Sequence, residues 1–464
     1  MERDTKLAIA TLMVMAFTIG TDFTGALLLV TAIERELSAD ISTTQWVLNI
    51  YALTFGVLMV TGGRLGDMYG HRHQIMIGAA IFLVASIGCF LAPSIGWLIG
   101  ARAVQGIGAA LLWPCVLALG TTIVDADKRG LAMGLILAGI TGGNVVGPLI
   151  AGIATWLGDW RLFFLFNCLT AVLSIVLVLR FLKKETPGKV HERVDFAGMA
   201  VLGIALLALL YGLDVGADWG WTSLPLVGLL ILGAVFFVAF PFVEYRVKDP
   251  LLPPSLMRNR EFLLVLSTNG LLIPSVFIAF LYFPQFMQRT MGWSVLESSF
   301  GMVPLMVLLS VGSLLGGRLY APVGPKRLLL AGYALVVLAG AWIIVFLKPT
   351  SSYVDLLPPM LLMGLGATLC VGTAGTAAVS AVPPARAGVA GGLSFMVHLC
   401  LGALGVAGAT AIMSADTAGV AQAGMSAAFA TGMSHAYWLA AALAILGIVV
   451  VLAIDEKKLQ TVQE

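Results

Sequence analysis

The stretch Gly62-Gly63-Arg64-Leu65-Gly66-Asp67-Met68-Tyr69-Gly70-His71-Arg72 separates two apolar runs, and a near-copy stands far downstream as Gly316-Gly317-Arg318-Leu319 followed by Gly324 and Lys326. A second echo pairs Gly130-x-Ala132-x-Gly134-Leu135 with Gly388-x-Ala390-x-Gly392-Leu393 at a nearly equal offset. Two echoes at a common offset point to a duplicated chain. In a membrane protein, repeated halves imply alternating access around a site near mid-depth.

Composition supports the membrane premise. Hydrophobic residues make up 59% of the 464 and charged residues 11%, against about 25% charged in a soluble domain. So apolar a chain cannot cover itself with a wetted surface. Its solvent must be lipid. A net charge of +2 gives no basic field for nucleic acid. Five cysteines (Cys89, Cys115, Cys168, Cys370 and Cys400) lie inside apolar runs without paired spacing, so they are read as packing residues rather than disulfides or a metal site.

A spanning helix needs about 20 apolar residues, and fourteen such runs occur. Six lie near 7–32, 44–63, 74–93, 97–123, 130–156 and 162–182. Two lie near 195–214 and 223–243, and six near 262–286, 296–319, 327–347, 354–381, 388–413 and 434–454. The runs are continuous rather than alternating, which excludes a barrel. The first is too long for a signal-peptide core and is expected to remain as a span. The fold expected is all-α and polytopic: a six-helix bundle over 1–185, two linker helices over 186–250, and a second six-helix bundle over 251–464. With a cytoplasmic N-terminus, inside segments carry 21 Lys and Arg, including Lys128, Arg129, Lys183, Lys184, Lys189, Arg193, Arg246, Lys248, Arg258, Arg260, Lys326, Arg327, Lys457 and Lys458. The outside loops carry four: Arg35, Arg161, Arg289 and Lys348. This bias places both termini in the cytoplasm of a cell inner membrane.

Few residues in the spans can carry chemistry. Asp22 lies in the first span, about 22 Å above its cytoplasmic start, and Arg102 lies about 8 Å below the outer start of the fourth. In a core about 30 Å thick these depths coincide. The pair is expected to meet in at least one state, and a change that separates it would let Asp22 exchange a proton. A fixed structural pair, or an arginine snorkelling outward, is the plainer alternative. The stretch Gly63–Arg72 is read as a tight loop in which Asp67, with Gly63, Gly70 and Arg72, forms a latch against a helix N-terminus or basic loop. Its downstream copy has Ala321 in place of that anion. In the fifth span, Gly139, Gly143 and Gly147 recur every four residues beside Asn144 and Pro148. They offer a smooth stripe and a kink, expected to form a sliding seal with Gly312 and Gly316 of the tenth span. Phe23, Trp46, Tyr51, Trp113 and Phe280, with Phe277, Tyr282, Phe286 and Phe395, are candidates for an aromatic substrate cavity. For each, lipid contact or core packing is the ordinary role. His398 is either a cavity residue or a satisfied core histidine. Glu34 is read as a solvated helix end.

These residues together resemble the major facilitator superfamily, and within it the fourteen-helix drug:proton antiporters. Gly63–Arg72 is similar to the signature between the second and third helices. Arg102–Gly108 is similar to the helix-four signature, whose arginine is implicated in proton coupling. Gly139–Gly152 is similar to the helix-five antiporter signature. Gln45-Trp46-Val47 with Tyr51, Trp160-Arg161-Leu162-Phe163 with Asn167, Asp195-Phe196-Ala197-Gly198 leading to Gly220-Trp221, and Pro250-Leu251-Leu252 with Arg258-Asn259-Arg260 extend the likeness over nearly the whole chain. The first span lacks the family's Leu-Pro pair. No acidic residue lies between Ala387 and Met413, where relatives often have one.

The resemblance implies proton-coupled export of hydrophobic, often cationic small molecules by a monomer that needs no cofactor beyond the proton gradient. A dedicated exporter of one metabolite or antibiotic is the closest alternative, and an uptake symporter is a further one. No phosphate-cradling loop or catalytic constellation is present in the sequence, so an ATP-driven pump and an enzyme are not expected.

Overall fold

The computed structural model describes residues 3–124, 129–183, 195–248, 250, 252, 254–382, 387–419 and 425–455, with some side chains, chiefly 310–318, left out. Lys128, Lys184, Lys189, Arg193, Leu251, Lys457 and Lys458 lie outside the described residues. So do the side chains at Arg129, Gly130, Gly312, Gly316, Gly317, Arg318, Ala321 and Gly388.

Every described regular element is a helix. Lipid offers no partner for a free N–H or C=O, so each span must close its own hydrogen bonds. The chain divides into two compact units, Met1–Met199 and Ala200–Glu464. The first holds α1 (Arg3–Leu28), α2 (Val30–Leu37), α3 (Ile41–Tyr69), α4 (His71–Phe90), α5 (Ile95–Thr122), α6 (Arg129–Trp156) and α7 (Arg161–Phe181). Across and after the boundary come α8 (Phe196–Trp219) and α9 (Leu224–Glu244). The second unit continues with α10 (Pro254–Met257), α11 (Arg260–Arg289), α12 (Val295–Gly301), α13 (Val303–Val323), α14 (Pro325–Phe346), α15 (Tyr353–Ser380), α16 (Ala387–Gly419) and α17 (Met425–Leu452). Thirteen helices are long and apolar enough to cross a membrane among the described residues. The remaining sequence span corresponds to α12 and α13.

Polar side chains start several helices. Asp40 accepts from Thr43 N at 2.6 Å before α3, and Asn259 accepts from Phe262 N at 3.1 Å before α11. Ser294 and Glu297 form a reciprocal capping box at α12. Large apolar residues such as Val84, Leu91, Leu169, Val238 and Phe242 remain exposed, as a lipid-facing surface requires.

Three readings of the sequence change here. The first span breaks at Leu29, after which α2 runs to Leu37. The tenth breaks at Met302. The stretch Gly63–Arg72 is not a loop: α3 continues through Tyr69 and α4 begins at His71, leaving Gly70 as the joint. Gly70 has φ 94° and ψ 130°, and Gly324 has φ 90° and ψ 146° between α13 and α14. Both lie in a region that L side chains avoid. The other glycines serve packing: a Cβ at Gly62 would overlap the Ala110 carbonyl of α5, and one at Gly66 would press on Cys115.

Each unit repeats the same pattern of neighbours. In the first, α1 packs on α6 and α7, and α5 on α3 and α4; in the second, α11 packs on α16 and α17, and α15 on α13 and α14. A glycine-lined crossing repeats as well. Gly143 and Gly147 of α6 meet α1, while Gly402 and Gly405 of α16 meet Phe277 and Pro274 of α11.

Candidate functional site

Asp22 and Arg102 are brought together in the interior of the first unit, with side chains 0% and 1% exposed. Arg102 Nη1 donates to Asp22 Oδ1 at 2.9 Å and to Oδ2 at 2.8 Å. The guanidinium is held from three further directions. Its Nε donates to the Val47 carbonyl at 2.9 Å, its Nη1 to Gln105 Oε1 at 2.6 Å, and its plane lies 4.1 Å from the Tyr51 ring centroid. A buried ion pair needs such additional bonds to offset its desolvation.

The carboxylate is also crowded with donors. Oδ1 accepts from Asn167 Nδ2 at 2.7 Å and Gln105 Nε2 at 3.2 Å, whereas Oδ2 accepts from Arg102. Gln105 Nε2 donates in turn to Ser86 Oγ at 2.9 Å. The chemistry available is proton exchange at Oδ2 with little rearrangement at Oδ1. If Asp22 becomes neutral, Arg102 keeps Gln105, Val47 and Tyr51 and is not stranded in an apolar interior.

Gln105, Asn167 and Ser86 were not assigned to this cluster from the sequence. Gln105 follows Arg102 by three residues and so shares its helix face. Asn167 is a polar residue in an otherwise apolar run. Both signals were present, but neither distinguishes a neutral polar partner from ordinary helix packing.

The glycine stripe of α6 contacts α1, the helix that carries Asp22. A Cβ at Gly139 would lie 2.6 Å from the Met13 carbonyl, one at Gly147 would lie 2.5 Å from the Thr21 carbonyl, and one at Gly143 would overlap the Phe17 carbonyl. Within the first unit the stripe is thus a close crossing with α1, and Gly312 and Gly316, the partners expected for it in the tenth span, lie outside the described side chains. Pro148 has no N–H and leaves the carbonyl of Asn144, four residues earlier, without its helical donor. Thr24 Oγ1 of α1 donates to that carbonyl at 3.0 Å. Thr24→Val is therefore expected to lower stability by about 1 kcal/mol, measured as a lower thermal midpoint in detergent. An unchanged midpoint would show that the bond carries no net stability.

The latch residues have local partners. Asp67 Oδ1 lies 3.4 Å from His71 Nε2, one turn onward at the N-terminus of α4. Arg72 donates to the Leu179 carbonyl near the end of α7 at 3.5 Å, where the helix dipole favours a cation. Gly63 packs on Pro114.

Of the residues assigned to a substrate cavity, Tyr51, Trp113 and Phe280 are buried within their own units. Phe23, Trp46 and His398 are partly exposed. Phe23 lies 6.4 Å from Tyr51 between ring centroids.

The sequence profile described as Major Facilitator Superfamily matches residues 12–407. The puromycin resistance protein pur8 of Streptomyces alboniger is 34% identical over 89% of this chain and 83% of its own. The tetracenomycin C resistance and export protein of Streptomyces glaucescens is 31% identical over 81% and 70%. The multidrug resistance protein Stp of Mycobacterium tuberculosis is 30% identical over 78% and 67%. A crystal structure of a peptide transporter POT in complex with sulfate superposes with a TM-score of 0.71 at 15% identity, covering 97% of this chain and 95% of its own. That similarity concerns the fold.

Proposed function

Because the chain belongs to the major facilitator superfamily, we propose that it exports hydrophobic small molecules, including cationic ones, in exchange for protons. The observation that carries this reading is the buried Asp22–Arg102 pair, whose loss of charge on proton uptake leaves the arginine with prepared alternative partners. An intramembrane ionisable pair facing protein is expensive to keep without a use. The resistance and export proteins among its relatives support outward transport.

In this scheme, a proton arriving from outside neutralises Asp22 at Oδ2. Its hold on Arg102 weakens, and α1 is freed to shift with α6 along the glycine crossing. Substrate that entered from the cytoplasm or inner leaflet leaves to the outside as that proton binds, and the proton is given up to the cytoplasm once the carrier has turned inward again. The protein acts as a monomer, with both termini cytoplasmic, in the cell inner membrane. The proton gradient supplies the energy and no cofactor is required.

Two of the relatives are named for single compounds, which supports a second reading in which this chain exports one metabolite or antibiotic. Resistance profiles against unrelated dyes and biocides separate the two. Ethidium flux in proteoliposomes under an imposed pH gradient tests both the energy source and the direction. Movement opposite to the protons is expected. Flux indifferent to the gradient, or running with the protons, would overturn the antiport scheme.

A further inference from the structure

We propose that the second unit holds a binding site beside His398 for a planar, uncharged aromatic ring bearing a hydrogen-bonding heteroatom. The proposal names a substrate class for the exporter described above and rests on that reading.

His398 is the only Lys, Arg, His, Asp or Glu between Ala387 and Met413. Its side chain is partly exposed, on a helix that packs against α11 and α17. The Phe395 ring lies parallel to the imidazole, tilted by 4° with centroids 5.5 Å apart. The Phe277 ring stands at 71° with its centroid 5.6 Å away. Phe277 is fixed in place, because a Cβ at Gly402 would overlap its ring. One helical turn before His398, Ser394 Oγ accepts from Asn269 Nδ2 at 3.0 Å, while Asn269 Oδ1 is buried without a protein partner. Among the described residues His398 makes ring contacts and no hydrogen bond or ion pair.

These facts define a ligand. A rigid wall of flat rings stacks best on another flat ring. An imidazole presents two ring nitrogens able to hydrogen-bond, and among the described residues neither has a partner. Buried polar groups are normally satisfied, so an accessible unsatisfied one is available to a ligand or water. Charge separates the classes of ligand. Among the described side chains of α11 and α16, the helices that carry these rings, the one carboxylate is Glu261, in the first turn of α11. Glu261 precedes Phe277 by sixteen residues, about 24 Å along the helix. A cationic ring beside His398 would find no nearby carboxylate among the described side chains of these two helices, whereas an uncharged heteroaromatic ring needs none.

The test uses the full chain in nanodiscs at mildly alkaline pH, with acridine and anthracene as fluorescent probes. Both are flat and similar in size, and acridine adds a ring nitrogen. The wild type is expected to bind acridine about tenfold more tightly than anthracene. His398→Phe keeps the stack and loses the heteroatoms, so it should erase that preference while retaining anthracene. His398→Gln restores a hydrogen-bonding group without the ring and should weaken both probes while keeping acridine ahead. A wild type with no preference, or an acridine preference that survives in His398→Phe, would overturn the site. Binding needs no gradient, so its outcome is separate from that of the export reading. Binding as expected without pH-driven flux overturns export alone. Flux with an unaltered preference in His398→Phe overturns the site alone.

Discussion

Asp22→Asn is expected to reduce pH-gradient-driven flux to background while the protein still inserts and purifies as a single species. The asparagine keeps the shape of the side chain and one acceptor oxygen, so Arg102 retains a bond there in addition to Gln105, Val47 and the Tyr51 face. What disappears is the charge and the ability to change it. Removing one partner of a buried pair costs about 3–5 kcal/mol, and the remaining acceptors should hold the loss near the lower end. The double variant Asp22→Asn/Arg102→Gln removes the uncompensated cation. It should recover much of the thermal midpoint without recovering transport. That divergence separates coupling from folding, because a purely structural pair would regain both together. Full flux by Asp22→Asn with an unchanged pH profile would remove the carboxylate from the mechanism.

Gly143→Ala is the second large effect. Its new methyl would overlap the Phe17 carbonyl and lie 2.8 Å from Thr21 N, both backbone atoms of α1 that cannot rotate away. The helices would have to separate by about 1 Å, more than a close-packed crossing accommodates without loss. Thr21 directly precedes Asp22, so the displacement is passed to the ion pair. An error of that size at a reacting group can reduce rates by about a hundredfold. Proteoliposome flux should therefore fall at least about tenfold, and further than stability does. The same substitution at Gly142, where the nearest neighbour outside its own helix is Phe17 Cδ2 at 3.9 Å, provides the control and should leave flux close to wild type. Equal losses at the two positions would argue against the crossing as the cause.

The spans were legible because lipid imposes long continuous apolar runs, and the depth of Asp22 and Arg102 followed from helix rise alone. The partners of that pair were harder to read. Gln105, Asn167 and Ser86 are neutral, and polarity alone does not say which of many such residues turns toward a charge. The glycines were ambiguous in two ways. At 62–70 they were read as a turn, although membrane helices also use glycine to let backbones touch, and only Gly70 has the positive φ of a joint. In α6 their spacing showed that a close neighbour exists, but a one-dimensional pattern does not identify which helix it is. Leu29, where the first span breaks, is an apolar residue with no punctuation beside it, whereas Met302 lies between Gly301 and Pro304, a break signal that a search for apolar runs passes over.

The vacant carbonyl at Asn144 has a mechanical consequence. No amide in α6 can ever reclaim it, because Pro148 stands where the donor should be. The Thr24 hydroxyl that fills the vacancy also lies 3.0 Å from the Gly20 carbonyl of its own helix. It can swing wholly onto that oxygen when the two rods part and return when they close. The junction is thus a snap fastener: it opens and shuts repeatedly without unravelling either strip it joins.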